Sequence, residues 1–182
     1  MTRFGAAALV GGIASLMLTA PAGASTQGSF GPTSTGTVNI EASVPGSVRI
    51  SGLRDVTFSI TDPSVVATDE QDICVFSNSA TRGYNITATG DGATNAFTLS
   101  DGATGTVPYA VQFADTPGQT TGDPLTTGTP LTGQTTTAIS VVCAVVPLST
   151  ASLIVSMSPV DLQTMTGGVT YTGVLTLLVA PE

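Results

Sequence analysis

Thr37-Val38-Asn39-Ile40-Glu41-Ala42-Ser43-Val44 alternates strictly: Val38, Ile40, Ala42 and Val44 fall on one side, and Thr37, Asn39, Glu41 and Ser43 on the other. A period of two over the whole stretch predicts a β-strand with one apolar face. The same period returns along the rest of the chain, so the reading of this stretch sets the fold class. Its place near the start sets the functional question, because such a strand pairs either with its own sheet or with a neighbouring chain.

Going outward, Pro45-Gly46 is a turn pair. Val48 and Ile50 then share a face, and Val56, Phe58 and Ile60 alternate with Thr57 and Ser59. Val65 to Asp72 carries Asp69, Glu70 and Asp72 without a regular period and reads as a loop. Further strands are predicted at Ile73–Ser77, around Tyr84, Ile86 and Ala88, at Ala96–Ser100, and over Thr106–Ala114 with Val107, Tyr109, Val111 and Phe113 inward. Pro108 places an edge or a bulge in the last of these. Thr116–Thr137 is low in complexity and reads as an exposed, mobile insertion, with Leu125 and Leu131 in two similar pieces, PLTTGT and PLTGQT. Ile139–Val146, Ala151–Ser158 and Val169–Ala180 complete the set, with one helical turn at Pro159–Leu162. About nine short strands and no long helix predict an antiparallel β-sandwich, with a closed barrel as the competing architecture.

Towards the start, Met1–Ala24 has the form of a secretory signal: Arg3, an apolar run from Phe4 to Ala20, and the small-residue site Ala22-Gly23-Ala24. Pro21 and the shortness of the apolar part argue against a membrane anchor. Ser25–Gly36 is Gly, Ser, Thr and Pro with one Phe, a composition that predicts a flexible leader. The expected organisation is therefore residues 1–24 as signal, 25–36 as leader, and 37–182 as one sandwich domain that starts with the strand Thr37–Val44.

Hydrophobic residues make up 41% of the chain and charged ones 9%, with a net charge of -8. Without Arg3 the cations are Arg49, Arg54 and Arg82, against twelve acids. Nucleic-acid binding requires cations that displace counterions from phosphates, so this balance excludes it. Weak charge with many Thr, Val, Ser and Gly fits an exported all-β protein. Two cysteines in such a chain predict one bridge, Cys74–Cys143. The alternative is a pair of reactive thiols, but there is no C-x-x-C and no neighbouring base to activate one.

Catalytic chemistry finds little support. The chain has no His, which removes Ser-His-Asp and Cys-His systems and H-E-x-x-H zinc sites. The acids Asp62, Asp69, Glu70, Asp72, Asp91, Asp101, Asp115 and Asp123 sit in or beside predicted turns, where Asx hydrogen bonding accounts for them. Paired carboxylates for glycoside hydrolysis, or calcium at Asp69, Glu70 and Asp72, are the weaker readings. Asn85-Ile86-Thr87 matches a glycosylation sequon inside a predicted strand. No enzyme, metal or cofactor is expected.

Three passages carry a family likeness: Thr35–Ile60 (TGTVNIEASVPGSVRISGLRDVTFSI), Cys74–Gly90 (CVFSNSATRGYNITATG) and Tyr171–Glu182 (YTGVLTLLVAPE). Together they resemble the pilin-type subunits of bacterial chaperone–usher systems, in particular the archaic branch and spore-coat-U-like secreted proteins. The chain departs from many relatives in having Pro45-Gly46-Ser47 where they carry a cysteine. The resemblance implies an immunoglobulin-like sandwich that lacks its last strand. A periplasmic chaperone lends a strand first, and the N-terminal segment of the next subunit, delivered at an outer-membrane usher, then replaces it. On this chain the donor residues would be Val38, Ile40, Ala42 and Val44. The acceptor groove edge would be Tyr171, Gly173, Leu175, Leu177 and Val179. The product would be a surface fibre for adhesion or biofilm, reached by export to the periplasm and then to the cell surface. A self-complete secreted adhesin or carbohydrate-binding module is the alternative, with Thr37–Val44 inside its own sheet.

Overall fold

The computed structural model describes residues 25–182; the predicted signal, Met1–Ala24, lies outside the described residues. The chain divides into two compact units with the boundary between Val44 and Pro45.

The second unit is all-β and antiparallel. Its strands are β1 (Val48–Ser51), β2 (Ala67–Ser77), β3 (Gly83–Gly90), β4 (Thr98–Ser100), β5 (Thr106–Pro108), β6 (Ala110–Ala114), β7 (Asp123–Pro124), β8 (Leu131–Thr135), β9 (Ala151–Met157) and β10 (Leu175–Pro181). One sheet has the order β1-β2-β9-β6-β7, the second β10-β3-β8, and β4 and β5 form a small pair. The core lies between the two larger sheets. Ile73, Val75, Val111, Phe113, Leu153, Val155 and Met157 come from one side and Tyr84, Ile86 and Ala88 from the other, all buried. This is the sandwich that period-two alternation dictates: each strand turns one face to its partner sheet.

β9 is the central strand of its sheet and is buried on both faces, Ser152 and Ile154 included. Its outer face is covered at Ser152, whose Oγ accepts from Gln119 N and has Thr116 O and Asp72 Oδ1 as acceptors for its one proton. Thr150 Oγ1 continues the ladder at the β9 entry, accepting from Val75 N at 2.9 Å. A single helical turn, α1 (Pro159–Leu162), is capped by Ser158 Oγ and buries Leu162.

Several predicted elements take a different form. The acidic stretch read as a loop is the first half of β2, pairing with β9 from Ala67↔Met157 to Ile73↔Ala151. Charged side chains hid its period. Glu70 and Asp72 face solvent, Gln71 is buried, and Asp69 is half-buried under Arg54. The stretch Thr116–Thr137 is mostly exposed but is built into the sandwich. It supplies β7, β8 and the buried Leu125, and Leu131 packs against the core. Its two repeated pieces each carry one leucine inward on otherwise polar backbone.

Ile139–Val146 forms no strand. Cys143 sits at φ 48 and is bridged to Cys74, S–S 2.01 Å, Cα–Cα 6.0 Å. A left-handed residue tied to the neighbouring sheet breaks an extended run. Ile139, Val141, Val142, Val145, Val146 and Leu148 are left exposed in the loop around it. The long strand Thr106–Ala114 divides at Tyr109, where β5 turns to β4 and β6 joins β9. The final ladder begins at Leu175, not Val169.

Among the described residues of the first unit, 25–44, there is no strand. The strand predicted over Thr37–Val44 is not formed: only Thr37 has a bridge partner, Thr26. The physical reason is that a strand exists through its ladder, and among the described residues no second segment pairs with residues 38–44. Val38, Ile40 and Val44 are exposed.

Candidate functional site: an open sheet edge

The sandwich is open along one side. β1 ends the five-stranded sheet and β10 ends the three-stranded one. β10 pairs with β3 from Leu175↔Gly90 to Pro181↔Tyr84, and among the described residues its other edge has no ladder. β1 pairs with β2 from Val48↔Ser77 to Ser51↔Cys74 and is likewise free on its far side.

The two edges touch at one end. Asn78 holds the start of β1, accepting from Ser47 N at 2.6 Å and donating to Pro45 O at 3.0 Å. A Cβ on Gly46 would meet Pro181 Cγ at 3.6 Å, and β1 and β10 approach within 8 Å between Cα atoms. Beyond Ser51 they part. Gly52, at φ +80, turns the chain away from β2. Arg54 then pins it: its N–H donates to Gln71 Oε1, and its guanidinium forks onto Asp69 at 2.9 and 2.8 Å and onto Glu70 O.

From there the chain runs past β2 without joining it. Val56, Phe58 and Ile60 turn inward against the core, as their alternation predicts. Among the described residues, however, the peptide groups of 55–61 make no backbone hydrogen bond to another segment. Unpaired peptide groups on a half-apolar run mark an edge that lacks its partner.

Between this run and the residues leading into β10 lies a groove of about 640 Å³. Val56, Phe58 and Ile60 line one wall and Tyr171, Gly173 and Leu175 the other, with Tyr109, Val155 and Met157 among the other lining residues. Leu175, Leu177 and Val179 are half-buried and pack against the core, while Val174 and Leu178 point outward and are exposed. Gly173 sits where a Cβ would run into Thr98 O at 2.9 Å. Its lack of a side chain is what lets the backbone lie on β4, where Thr172 and Ser100 exchange hydrogen bonds at 2.8 Å.

The sequence points to the β10 wall and misses the other. The signal for the second wall, alternation at Val56, Phe58 and Ile60, is present, but a ladder strand has the same alternation. Val38, Ile40, Ala42 and Val44 belong to the first unit, outside the unit that contains the groove.

Most of the carboxylates considered for catalysis or calcium are engaged in local structure. Asp62 Oδ1 accepts from Ser64 Oγ and N, and these bonds hold its carboxyl below the usual range. Asp101 accepts from Ala103 and Gly105, and Asp115 from Thr135. Strand alternation puts Asp69 on the opposite face of β2 from Glu70 and Asp72. Among the described residues no three His, Cys, Asp or Glu side chains converge on a point where a metal could be held. No described helix is long and apolar enough to cross a membrane.

Fold and edge define an all-β antiparallel sandwich with one open side. No protein-family model and no curated protein matches the sequence. Among solved structures, the chain is similar to one described as "Chaperone-tip adhesin complex is vital for synergistic activation of CFA/I fimbriae biogenesis", with a TM-score of 0.48 and 14% identity. The likeness covers 74% of this chain and 42% of the other, so the chain spans less than half of that protein. The functional reading therefore rests on the geometry of the open side.

Proposed function

We propose that this chain is an exported, non-enzymatic, pilin-like structural subunit that polymerises by strand donation. The groove between residues 55–60 and the β10 edge receives Val38–Val44 of a neighbouring copy or a related subunit. One observation carries this reading: among the described residues, two unpaired, half-apolar edges face each other across a groove, and an alternating segment has no partner strand. Strand addition supplies both missing elements at once, ladder hydrogen bonds from the backbone and alternate side chains for the groove.

Chain reach favours donation between copies. The own segment would have to turn at Pro45-Gly46 and run back between β1 and β10. A strand placed there needs roughly 10 Å between its neighbours, two strand spacings, and some Cα atoms of β1 and β10 lie within 8 Å of each other. Leu175, at the groove, is at the far end of β10 from Pro181, which Gly46 adjoins.

An open groove of this kind is a liability before assembly. The expected partners are accordingly a periplasmic chaperone that covers it, an outer-membrane usher, and like subunits, and the expected location is a surface fibre. The test uses the mature chain carrying Ile40→Asp, which disables its own donor, mixed with a peptide of residues 37–44. Amide exchange should slow at residues 55–60 and at 173–175 on the opposite wall. No new protection at either wall refutes the reading.

A further inference from the structure

The residues in front of the alternating segment form a closed loop, and this closure has a function if the strand-donation reading holds, on which the inference rests. Thr26 and Thr37 exchange backbone hydrogen bonds at 3.0 Å in both directions, and their Oγ1 atoms lie 2.5 Å apart. The closure is written in two glycines. A Cβ on Gly28 would fall 2.0 Å from Ser34 Oγ, and one on Gly36 would fall 3.0 Å from Thr26 O. Phe30, in the loop between, is the one aromatic residue of 25–44 and is fully exposed, at 108%.

We propose that the Thr26–Thr37 loop is a stop that fixes how far, and in which register, Val38–Val44 enters a neighbouring copy, with Phe30 packing on that copy beside the groove. The groove is bounded by two edges and accepts one strand. The loop presents two chain segments side by side, about 5 Å apart, and cannot follow the strand in. The clasp closes at Thr37, the residue directly before the apolar alternation, so the insertable stretch is bounded there and by Pro45 at its other end.

Such a stop is needed because the apolar face repeats every second residue. A one-residue slip would turn the apolar face outward and is excluded, but Val38, Ile40, Ala42 and Val44 could each slide by two residues and still face inward. A rigid shoulder at one end removes the shifted alternatives. Thr37 lies on the outward side with Asn39 and Glu41, so the clasp does not interfere with the groove face. Phe30 supplies the second contact, an aromatic side chain that has no neighbour to pack on until the copies join.

The test again uses the Ile40→Asp mature chain as acceptor. Four peptides are compared: residues 37–44; residues 25–44 locked by an oxidised T26C/T37C pair; the same locked peptide with F30A; and residues 25–44 with G28V/G36V, in which the loop cannot close. Calorimetry gives affinity, and methyl resonances of Val56, Ile60 and Leu175 count the bound registers. The locked peptide should bind about tenfold or more tightly than residues 37–44, the gain expected from burying one aromatic side chain, and should give a single set of resonances. F30A should lose affinity but keep the single set. G28V/G36V and residues 37–44 should show more than one set. Equal affinity and equal spectra for all four overturn the stop and leave strand donation standing. Binding by none of them overturns both.

Discussion

The ring of Tyr84 meets that of Phe113 edge to face, with centroids 6.2 Å apart and planes at 88°, across the space between the two sheets. Tyr84 belongs to β3 and Phe113 to β6, and neither is exposed. The pair joins the sheets through the favoured aromatic geometry. It also buries the Tyr84 hydroxyl without a hydrogen-bond partner. Two substitutions separate packing from polarity. Phe113→Ala should cost roughly 3–5 kcal/mol. Tyr84→Phe keeps the ring and removes an unsatisfied polar atom, so it should be neutral or stabilising by up to about 1 kcal/mol. Denaturant titration measures both. A Tyr84→Phe chain that is clearly less stable contradicts an unpartnered hydroxyl.

The same burial gives the chain an alkaline limit. Desolvation pushes the Tyr84 phenol upward, with the Asp115 carboxylate adding to it, and the Tyr109 phenol moves the same way through burial and then Asp91. In the unfolded chain both ionise near pH 10. The folded state holds more protons above that point, so stability is intact below about pH 10 and falls as pH rises further. The Y84F/Y109F double variant should lose most of this slope. Melting temperature measured from pH 8 to 11.5 checks it, and parallel curves for the two proteins contradict it.

The bridge Cys74–Cys143 closes a loop with a sequence separation of 69. Both cysteines are almost fully buried against Ala138 and Phe76. Chain-entropy arguments give about 4 kcal/mol for a loop of that size. Thiol titration of the unreduced chain should find no free thiol. The C74A/C143A chain should lose roughly that stability, and a loss under about 1 kcal/mol would place the stabilisation elsewhere.

Alternation made the sandwich legible in the sequence, and the residues it put inward over Thr106–Ala114 are buried: Val107, Tyr109, Val111 and Phe113. It failed where side-chain chemistry masks the backbone. Thr68 to Asp72 look like a loop because their outward positions are charged and the buried inward Gln71 is polar. Ile139–Val146 looks like a strand because it is β-branched, yet the bridge at Cys143 holds it irregular. Pattern alone also cannot distinguish a strand in a ladder from a run such as Val56–Ile60, which alternates and packs inward but pairs with nothing. That difference is tertiary, and it is what creates the second wall of the groove.

Leu175 shows the consequence for stability. It is half-buried, on the wall of the groove. Leu175→Ala in the free subunit should therefore cost less than the roughly 2–5 kcal/mol of a fully packed leucine. With a strand in the groove the site closes and the cost should rise towards that range. Melting with and without the 37–44 peptide measures the difference. Equal losses in the two states mean that no strand covers Leu175.

Ile40 is the residue on which the assembly reading turns. It is the largest side chain on the apolar face of Val38–Val44 and stands near its middle, and it is 91% exposed. Packing it into a neighbour's groove is worth roughly 1.5–3 kcal/mol. Ile40→Asp replaces that gain with an unpaired carboxylate in an apolar slot, which opposes docking. The subunit's own fold should be unaffected, because the segment lies outside the compact unit that begins at Pro45. The expected result is lost polymer with the melting of the peptide-complemented subunit unchanged. A self-complete domain predicts the reverse, a wild-type monomer that is stable alone and loses stability on mutation. Polymer yield by sedimentation and melting with added 37–44 peptide, measured on wild type and Ile40→Asp together, distinguish the two. Undiminished polymer from Ile40→Asp would remove the donor role from this segment.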